Sequence, residues 1–180
     1  MLIWLNGAHG AGKTSVARRI QAMRPGSWLF DPEQIGFMLR RAWPGAQPGD
    51  FKDMRAWREL TVAALRAACA EAAGKLVIVP MTLTDPGFNE VVGVLRMDGI
   101  ELGHFTLTAA PDTLRHRLRR RLDWPRSRRW ALSRVDAAAA ALADERFAIH
   151  FATDGLSVAE VAEAVLTRIE CSENRQGRSG

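Results

Sequence analysis

The sequence predicts an α/β fold in which helices cover both faces of an open, five-stranded parallel β-sheet, giving three layers (α/β/α). Short apolar runs alternate with longer segments of helical periodicity along the chain. A glycine-rich motif lies between the first apolar run and the first helical segment. The connections between successive runs are long enough for right-handed crossovers, which join parallel strands. Together these observations predict one sheet that binds its ligands at the carboxyl ends of the strands.

Composition limits the number of domains and the compartment. A chain of 180 residues, 47% of them hydrophobic, has the size of one domain, predicted here over residues 1–171 with a polar, disordered tail over residues 172–180. Cys69 and Cys171 have the spacing of neither a zinc site nor a disulfide framework, which favours a reducing compartment. The sequence shows no signal-like leader and no apolar run of membrane-spanning length, so we expect a cytoplasmic protein.

The five predicted strands are short apolar runs. Residues 76–79 carry β-branched and apolar side chains in succession, which is typical of a strand that is covered on both faces. Pro80 ends this strand, and a Pro-Gly-Ser turn at residues 25–27 precedes the second strand. In chain order, the strands are predicted over residues 2–6, 28–30, 76–79, 104–108 and 147–153.

The first half of the chain contains three predicted helices. The second begins with a capping pattern in which Asp31 is the N-cap, Pro32 is the first helical residue and Gln34 lies three residues after the cap. Two Pro-Gly turns in residues 42–50 then predict a mobile surface loop, and Gly74 ends the third helix. The inner faces of the second and third helices are predicted to carry Ile35, Met38, Leu39, Met54, Trp57, Leu60, Ala64 and Ala68. The three helices are predicted over residues 14–23, from residue 31 to the loop, and over residues 52–73.

The second half contains four further predicted helices. One covers residues 84–97, with Asp85 interpreted as its cap. The next begins at Pro111, is interrupted by WPRSRRW, and is followed by an alanine-rich helix that ends near Ala143. Ser157 and Glu160 form the capping box of the last helix. Its inner face is predicted to carry Val158, Val161, Val165 and Ile169.

Residues 7–14, GAHGAGKT, fit the phosphate-binding loop pattern G-x-x-x-x-G-K-[ST], or P-loop. Backbone N–H groups of such a loop converge on phosphate oxygens at the positive end of the following helix. Lys13 is expected to reach the β and γ phosphates, and the Thr14 hydroxyl to complete a Mg²⁺ shell. His9 has no separate predicted role. The residues predicted to bind the nucleotide are Gly7, Ala8, His9, Gly10, Ala11, Gly12, Lys13, Thr14 and Ser15.

Asp31 follows the second strand and should lie beside the P-loop. Its carboxylate could accept a proton from a substrate hydroxyl that attacks the γ phosphate, or hold a Mg²⁺-bound water. The alternative is that Asp31 only caps its helix, and the two roles are compatible. For Asp85, which follows the third strand, the capping role is favoured.

Positive charge is concentrated in residues 115–134, which contain nine arginines and one aspartate in a chain whose net charge is +5. The remainder of the chain is therefore net acidic, which argues against a general nucleic-acid-binding surface. We interpret the arginine segment as a lid that closes over polyphosphate, with Arg119 and Arg120 as the catalytic arginines. The alternative is a solvated helix face.

The acceptor molecule is expected to bind near the Pro-Gly loop. The predicted contacts are Phe37, Arg40, Trp43 and Trp57, because aromatic rings that flank the loop could stack on a flat ring. Core packing is the alternative interpretation for Phe37 and Trp57, whereas Trp43 is harder to explain as a core residue.

In their order and spacing, the segments IWLNGAHGAGKT, DPEQIGFMLR, LVIVPMT, FNEVVGVLR, HFTLTA and TLRHRLRRR resemble the tunicamycin resistance protein family. The resemblance implies an ATP- and Mg²⁺-binding protein with a fold similar to nucleoside-monophosphate kinases and the strand order 2-3-1-4-5. It also implies protection of a bacterium from tunicamycin, a uridine-containing antibiotic with a fatty tail. Many kinases of this fold have an acidic residue after the third strand, where this chain has Pro80-Met81-Thr82, so metal support is expected from Thr14 and Asp31.

Two functions follow from this resemblance. The first is phosphorylation of a hydroxyl of tunicamycin or a related nucleoside-type molecule, and the second is ATP-dependent capture of the drug without chemistry. We expect a small-molecule partner, no nucleic acid, and a monomer or homodimer. Some members carry a basic amphipathic C-terminal extension, which ECSENRQGRSG does not resemble, so membrane association is not favoured. Peripheral contact with the inner face of the cell membrane is the alternative to a purely cytoplasmic location.

Overall fold

The computed structural model describes residues 1–43, 49–120 and 125–176 and contains the predicted parallel sheet. All strand pairs are parallel, and the spatial order β2-β3-β1-β4-β5 confirms the predicted order. The central strand, β1, therefore leads directly into the glycine-rich motif at the middle of the sheet edge. The strands are β1 (Leu2–Gly7), β2 (Trp28–Leu29), β3 (Val77–Pro80), β4 (Leu102–Thr108) and β5 (His150–Ala152).

Helices cover both faces of the sheet, as predicted. Residues of α1, α5, α6 and α7 share one buried cluster, and residues of α2, α3 and α4 share the cluster on the other face. The helices are α1 (Lys13–Met23), α2 (Glu33–Ala42), α3 (Arg55–Glu71), α4 (Val94–Met97), α5 (Pro111–Arg119), α6 (Pro125–Leu142) and α7 (Val158–Gln176).

The side chains of β1 explain why the sheet has a core on each face. Ile3 and Leu5 are fully buried in the cluster that contains α1 and α7, whereas Leu2 and Trp4 are fully buried in the opposite cluster. Successive side chains of a strand point to opposite faces, so a strand that is apolar at every position is stable only when both faces are covered. The indole N–H of Trp4 donates to the carbonyl of Met81 at 3.1 Å, which satisfies the polar atom of this buried ring.

A buried histidine links β4 to its neighbours. His104 Nδ1 lies 3.2 Å from the carbonyl oxygen of Ala148, and its Nε2 lies 3.2 Å from Nδ2 of Asn6. A carbonyl can only accept, so Nδ1 carries the proton and Nε2 accepts from the Asn6 amide. Both hydrogen bonds fit the neutral ring, and burial lowers the pKa of His104 to about 4.

The third helix begins later than predicted and turns a different face inward. Residues 51–53 form a 3₁₀ turn, capped by the Asp50 side chain, which accepts from the N–H of Lys52 at 3.2 Å. α3 then starts at Arg55, and its inner face is formed by Trp57, Thr61, Val62 and Leu65. Leu60 and, on α2, Met38 were predicted to lie inward but are 40% and 51% exposed. Side-chain spacing alone did not reveal the turn that shifts the phase of α3.

The segment after β3 also differs from the prediction. Asp85 does not cap a helix: its carboxylate accepts from the side-chain amide of Asn89 at 2.9 Å and pairs with Arg146. A π-helical turn over Asn89–Gly93 precedes the short α4.

The last strand and helix have different limits from those predicted. Glu145–Phe147 forms a 3₁₀ turn, so β5 begins only at His150. The predicted capping box of α7 is confirmed, because Ser157 N–H donates to the Glu160 carboxylate at 2.7 Å and Glu160 N–H donates to the Ser157 hydroxyl at 3.2 Å. The backbone of α7 continues past Ser172, where the polar tail was predicted to begin.

Parts of three sequence predictions lie outside the described residues. They are residues 44–48 of the Pro-Gly loop, residues 121–124 of the arginine segment and residues 177–180 of the tail. Across the described ranges, no helix combines the length and apolar character that crossing a membrane requires.

Thr61 tests how much a buried hydroxyl without a hydrogen-bond partner lowers the free energy of unfolding. Its side chain is fully buried, and its hydroxyl has no hydrogen-bond partner among the described residues. Thr61→Val replaces this hydroxyl with a methyl group, so we expect the free energy of unfolding to rise by about 1 kcal/mol in urea titrations. The matched control is Thr106→Val, which should lower it by roughly 1–2 kcal/mol because the Thr106 hydroxyl donates to the Phe147 carbonyl at 2.6 Å. Equal effects of both changes would contradict this account.

His104 predicts a loss of stability in mild acid. Its pKa falls to about 4 in the folded chain, so between its ordinary value and pH 4 the unfolded chain binds a proton that the folded chain does not. The free energy of unfolding should therefore fall as the pH decreases, with His104 contributing roughly 2 kcal/mol of the loss between pH 7 and pH 5. His104→Asn should reduce this slope in urea titrations at the two pH values. A slope unchanged by His104→Asn would refute the assignment.

Candidate functional site

The loop between β1 and α1 has the backbone geometry that its glycines allow. Gly7, Gly10 and Gly12 have φ of +139°, +88° and +95°, a region that other residues rarely adopt. Two of them also permit a close approach. A Cβ on Gly7 would lie 2.5 Å from the carbonyl oxygen of Leu107, and one on Gly10 would lie 2.7 Å from that of Leu114. The loop therefore packs directly against β4 and α5.

Lys13 is the first residue of α1 and folds back over the loop. Its ammonium donates to the carbonyl of Gly7 at 2.8 Å and to that of Ala8 at 3.0 Å. The first turn of α1 contains no acidic side chain, so the positive end of the helix dipole is not neutralised by its own residues. Lys13 and the exposed Thr14 and Ser15 all line the cavity described below.

Two side chains that the sequence analysis did not identify hold the start of the loop. Asn6 is fully buried, and its Oδ1 accepts from the N–H groups of Gly7 and Leu83, both at 2.9 Å. Its Nδ2 donates to the Leu83 carbonyl at 2.8 Å. The Thr82 hydroxyl donates to the Gly7 carbonyl at 2.7 Å. A polar residue at the end of an apolar strand, immediately before the motif, was the available signal for Asn6.

A cavity of about 1280 Å³ opens over the carboxyl ends of the strands. The P-loop forms its centre. One arm reaches toward the segment between β5 and α7, and the other reaches toward α2 and the 3₁₀ turn that precedes α3. Every predicted P-loop residue from His9 to Ser15 lines this cavity.

Arg117 is the arginine of α5 that lines the first arm. Its guanidinium donates to the hydroxyl of Thr153 at 2.8 Å and to the carbonyl of Thr153 at 2.7 Å. Leu156 and Val158 line the same arm, and both are more than 40% exposed. Val158 was predicted to lie inward, but it faces this cavity. The arm therefore offers a fixed cationic plane next to apolar surface.

The predicted catalytic arginines Arg119 and Arg120 are exposed and are not among the residues that line the cavity. The difference is one of helical phase, because Leu114 and Leu118 of α5 are buried and Arg117 projects beside them toward β5. Arg115 forms ion pairs with Asp112 and Asp136 instead.

The described part of the arginine segment also approaches the P-loop through α6. Trp130 lines the cavity and makes an edge-to-face contact with the ring of His9, with ring centroids 5.0 Å apart. The Arg134 guanidinium lies 5.6 Å from the centroid of the Trp130 ring. The sequence analysis did not identify Trp130, although a tryptophan within an arginine-rich segment was a visible signal.

Asp31 both caps α2 and lines the second arm. Its Oδ1 accepts from the N–H of Glu33 at 3.0 Å, and its Oδ2 accepts from the side-chain amide of Gln34 at 3.2 Å. Each carboxylate oxygen retains a second lone pair. The carboxylate is exposed at the cavity, so the two interpretations made from the sequence coexist in this geometry.

The aromatic residues of the second arm divide into lining and core residues. Phe37 lines the cavity and is 50% exposed, and its ring packs edge-to-face on Phe51. Trp57, predicted to contact the acceptor, is fully buried behind Phe51, and its indole N–H donates to the Pro32 carbonyl at 3.0 Å. Trp43 is exposed but is not among the residues that line the cavity.

Phe51, which the sequence analysis did not single out, forms the centre of this arm. The guanidinium of Arg40 lies 5.3 Å from the centroid of its ring and donates to the carbonyl of Gly49. A Cβ on Gly36 would lie 2.4 Å from Cγ of Phe51, so the ring rests directly on the backbone of α2. Asp50 and Lys52 line the cavity on either side of Phe51 and form an ion pair at 3.1 Å.

The side chains that could act as metal ligands limit which metal ion could bind at the cavity. No group of three or more His, Cys, Asp or Glu side chains that could hold an ion occurs in residues 1–43, 49–120 and 125–176. Mg²⁺ at a phosphate site commonly uses one or two protein ligands and completes its shell with phosphate oxygens and water. The Thr14 hydroxyl and the Asp31 carboxylate, both at the cavity, fit that more limited requirement.

Comparisons with known proteins agree with this geometry. The family model described as AAA domain matches residues 2–147. The structure is similar to the tunicamycin resistance protein of Deinococcus radiodurans, with 32% identity, a TM-score of 0.79, and coverage of 94% of this chain and 95% of that chain. No match was found among curated proteins.

More distant structures share the fold. A sugar kinase from a Janibacter species is 20% identical with a TM-score of 0.67, and coverage is 94% of both chains. The Mycobacterium tuberculosis APS kinase CysC, solved with AMPPNP and APS, is 18% identical with a TM-score of 0.60, and coverage is 94% of this chain and 96% of that chain. The chain therefore belongs to the tunicamycin resistance protein family, a kinase-like group of P-loop proteins within the AAA domain family.

Proposed function

We propose that the chain binds ATP with Mg²⁺ and transfers the γ phosphate to a hydroxyl of tunicamycin or a related nucleoside-type small molecule. The observation that carries this proposal is the continuous cavity that joins Lys13 and the P-loop to the Asp31 carboxylate. A phosphotransferase must hold a phosphate donor and an acceptor hydroxyl side by side. The P-loop in the centre of the cavity can bind the phosphates of the donor, and the Asp31 carboxylate along one arm can contact the hydroxyl of the acceptor.

The donor half of this site consists of the P-loop and the first arm. Magnesium-bound ATP supplies the transferable phosphoryl group. Backbone N–H groups of the loop bind the phosphates, Lys13 neutralises the β and γ phosphates, and the Thr14 hydroxyl ligates the metal. The nucleotide base covers the exposed side chains of Leu156 and Val158 and packs on the Arg117 guanidinium.

The acceptor half consists of the second arm. Asp31 accepts the proton of the attacking hydroxyl, and the support for this role is that its exposed carboxylate lines the same cavity as the P-loop. Phe37 offers an aromatic face to a planar ring of the acceptor, and Arg40 offers a cation that Phe51 and Gly49 hold in place. Trp57 acts indirectly, by supporting Phe51 from the core.

ATP-dependent capture of tunicamycin without chemistry is the alternative, and one observation favours it. Met81 and Thr82, the two residues that directly follow β3, are not acidic, and Asp85 further along does not line the cavity, so this segment adds no carboxylate to the metal. Thr82 also uses its hydroxyl to donate to the Gly7 carbonyl. A site with few metal ligands can still bind nucleotide while turning over slowly or not at all.

Mass spectrometry separates the two functions. The protein is incubated with magnesium, ATP and tunicamycin, and the drug and nucleotide are measured together. Phosphorylated drug formed in the same molar amount as ADP supports the transferase function. Unmodified drug that binds the protein only when ATP is present supports capture. Absence of ATP binding by the wild-type chain would refute both functions.

Asp31→Asn tests the proposed base. Asparagine is as good an N-cap as aspartate, so the stability of α2 should be nearly unchanged, whereas an amide cannot take the proton. We expect kcat for phosphoryl transfer to fall on the order of 10²–10⁴-fold, with little change in ATP affinity. Asp85→Asn is the matched control, because Asp85 also follows a strand but does not line the cavity. Full turnover by Asp31→Asn would show that Asp31 is not the base.

Gly36→Ala tests the acceptor arm. In an unobstructed helix the change should stabilise the fold, but here the new Cβ would displace the Phe51 ring. We expect a loss of about 1–3 kcal/mol in the free energy of unfolding. The acceptor KM should rise on the order of tenfold while the KM for ATP is unchanged, because only the second arm moves.

Gly93→Ala is the control for helical glycine. Gly93 has helical φ and ψ, and a Cβ there would meet only Asn89 Cβ at an ordinary 3.9 Å. It should raise the free energy of unfolding by about 0.5–1 kcal/mol and leave both KM values unchanged. If Gly36→Ala behaved in the same way, the packing of Phe51 on α2 would not position the acceptor.

A further inference from the structure

The face of α2 that lines the second arm changes from negative to positive along the helix. Glu33, Phe37 and Arg40 all line this arm, and their spacing of four and three residues places them on one side of α2. Arg40 lies about 10 Å along the helix axis from Glu33, at roughly 1.5 Å per residue. A ligand in this arm therefore meets carboxylates near the start of α2, an aromatic ring in the middle and a cation at the far end.

Arg40 presents hydrogen-bond donors at that far end. Its guanidinium lies 5.3 Å from the centroid of the Phe51 ring and donates to the Gly49 carbonyl. A guanidinium has five N–H donors and no acceptor. Among the described residues, no carboxylate forms an ion pair with Arg40. Its remaining N–H groups are therefore available to a ligand in the cavity.

Lys52, which follows Phe51, adds donors of the same kind. Its backbone N–H and its ammonium donate to the two carboxylate oxygens of Asp50, at 3.2 and 3.1 Å. The Asp50 side chain is 6% exposed, whereas the Lys52 side chain is 18% exposed. The ammonium has three N–H donors, so it is the more accessible group of this pair and retains donors for a ligand.

Hydrogen-bond donors that face a ligand require acceptors on that ligand. At the edge of a planar base, an oxo group is an acceptor, whereas an amino group is a donor. An amino group that faced Arg40 would leave donors of both partners unpaired, which is unfavourable in a site that the ligand shields from water. The far end of the second arm therefore favours a ring that carries an oxo group.

We infer that Arg40 is a specificity-determining residue, which selects nucleoside-type acceptors with an oxo group at the base edge over those with an amino group at the same position. Phe37 contacts the face of the ring, and Arg40, about one turn further along α2, donates to the oxo oxygen. This inference rests on the proposed acceptor arm. It does not depend on whether phosphate is transferred.

Calorimetric titrations of two pairs of nucleosides test the selection. Inosine carries an oxo group where adenosine carries an amino group, and uridine and cytidine differ in the same way. The wild-type chain is first saturated with magnesium and a non-hydrolysable ATP analogue, so that the nucleosides do not occupy the first arm. We expect inosine to bind about tenfold more tightly than adenosine. Uridine should also bind more tightly than cytidine, but by a smaller factor, because cytidine retains one oxo group.

Three variants show whether Arg40 causes this preference. Glutamine both donates and accepts, so Arg40→Gln should bind the two members of each pair almost equally. Arg40→Lys keeps a group that only donates and should retain the preference for the oxo member. Arg41→Gln is the matched control, because Arg41 is exposed on the same helix and is not among the residues that line the cavity. Its preference should equal that of the wild-type chain, and all three variants should bind ATP normally.

The outcomes separate this inference from the proposed function. If the wild-type chain does not bind ATP, the proposed function fails, and the nucleoside titrations without the analogue still measure the preference. If the wild-type chain binds both members of each pair equally, or prefers the amino members, Arg40 does not select the acceptor. A preference that survives in Arg40→Gln, or absence of binding by all four nucleosides, would also overturn the inference.

Discussion

The backbone at the end of β1 has to keep its carbonyl and N–H groups bonded while it opens into a loop that can receive phosphate, and the rest of the site depends on this constraint. The pairing of β1 with β3 ends at Leu5 and Pro80, whereas its pairing with β4 continues to Gly7. On the β3 side, the Asn6 and Thr82 side chains then bond the backbone of Gly7, and Gly10 lets the loop rest on α5. The central position of β1 matters here, because β3 and β4 lie on its two sides and supply these partners.

The two arms of the cavity reach opposite sides of this loop. Each arm is built around one side chain that the surroundings prevent from moving: Arg117 is held by Thr153, and Phe51 is held by α2 and Trp57. Such preorganisation reduces the ordering that a ligand must otherwise bring about. The Arg117 guanidinium is therefore held in a defined position in the cavity, whereas Arg115 of α5 pairs with Asp112 and Asp136 and Arg119 is exposed.

Much of the architecture could be predicted, because its signals are local in sequence. The strand–loop–helix order of the P-loop, the capping bonds of Asp31 and the capping box of Ser157 each involve residues within a few positions of one another. The orientation of the helices was less predictable: the 3₁₀ turn at residues 51–53 delays the start of α3, and on α5 it is Arg117, and not Arg119 on another face of the helix, that lines the cavity. Side-chain spacing within one helix does not show which of its polar faces meets a cavity that other elements form.

By itself, the sequence determined that this protein is a P-loop α/β domain with a phosphate site after the first strand and a carboxylate after the second, since strand ends of a parallel sheet share one edge. Only the tertiary structure decided which side chains support that site. The Thr82 hydroxyl reaches the Gly7 carbonyl across 75 residues of sequence, and the Asn6 amide reaches Leu83 across 77. These contacts form because β1 pairs with β3. The spacing of side chains within either segment does not predict them.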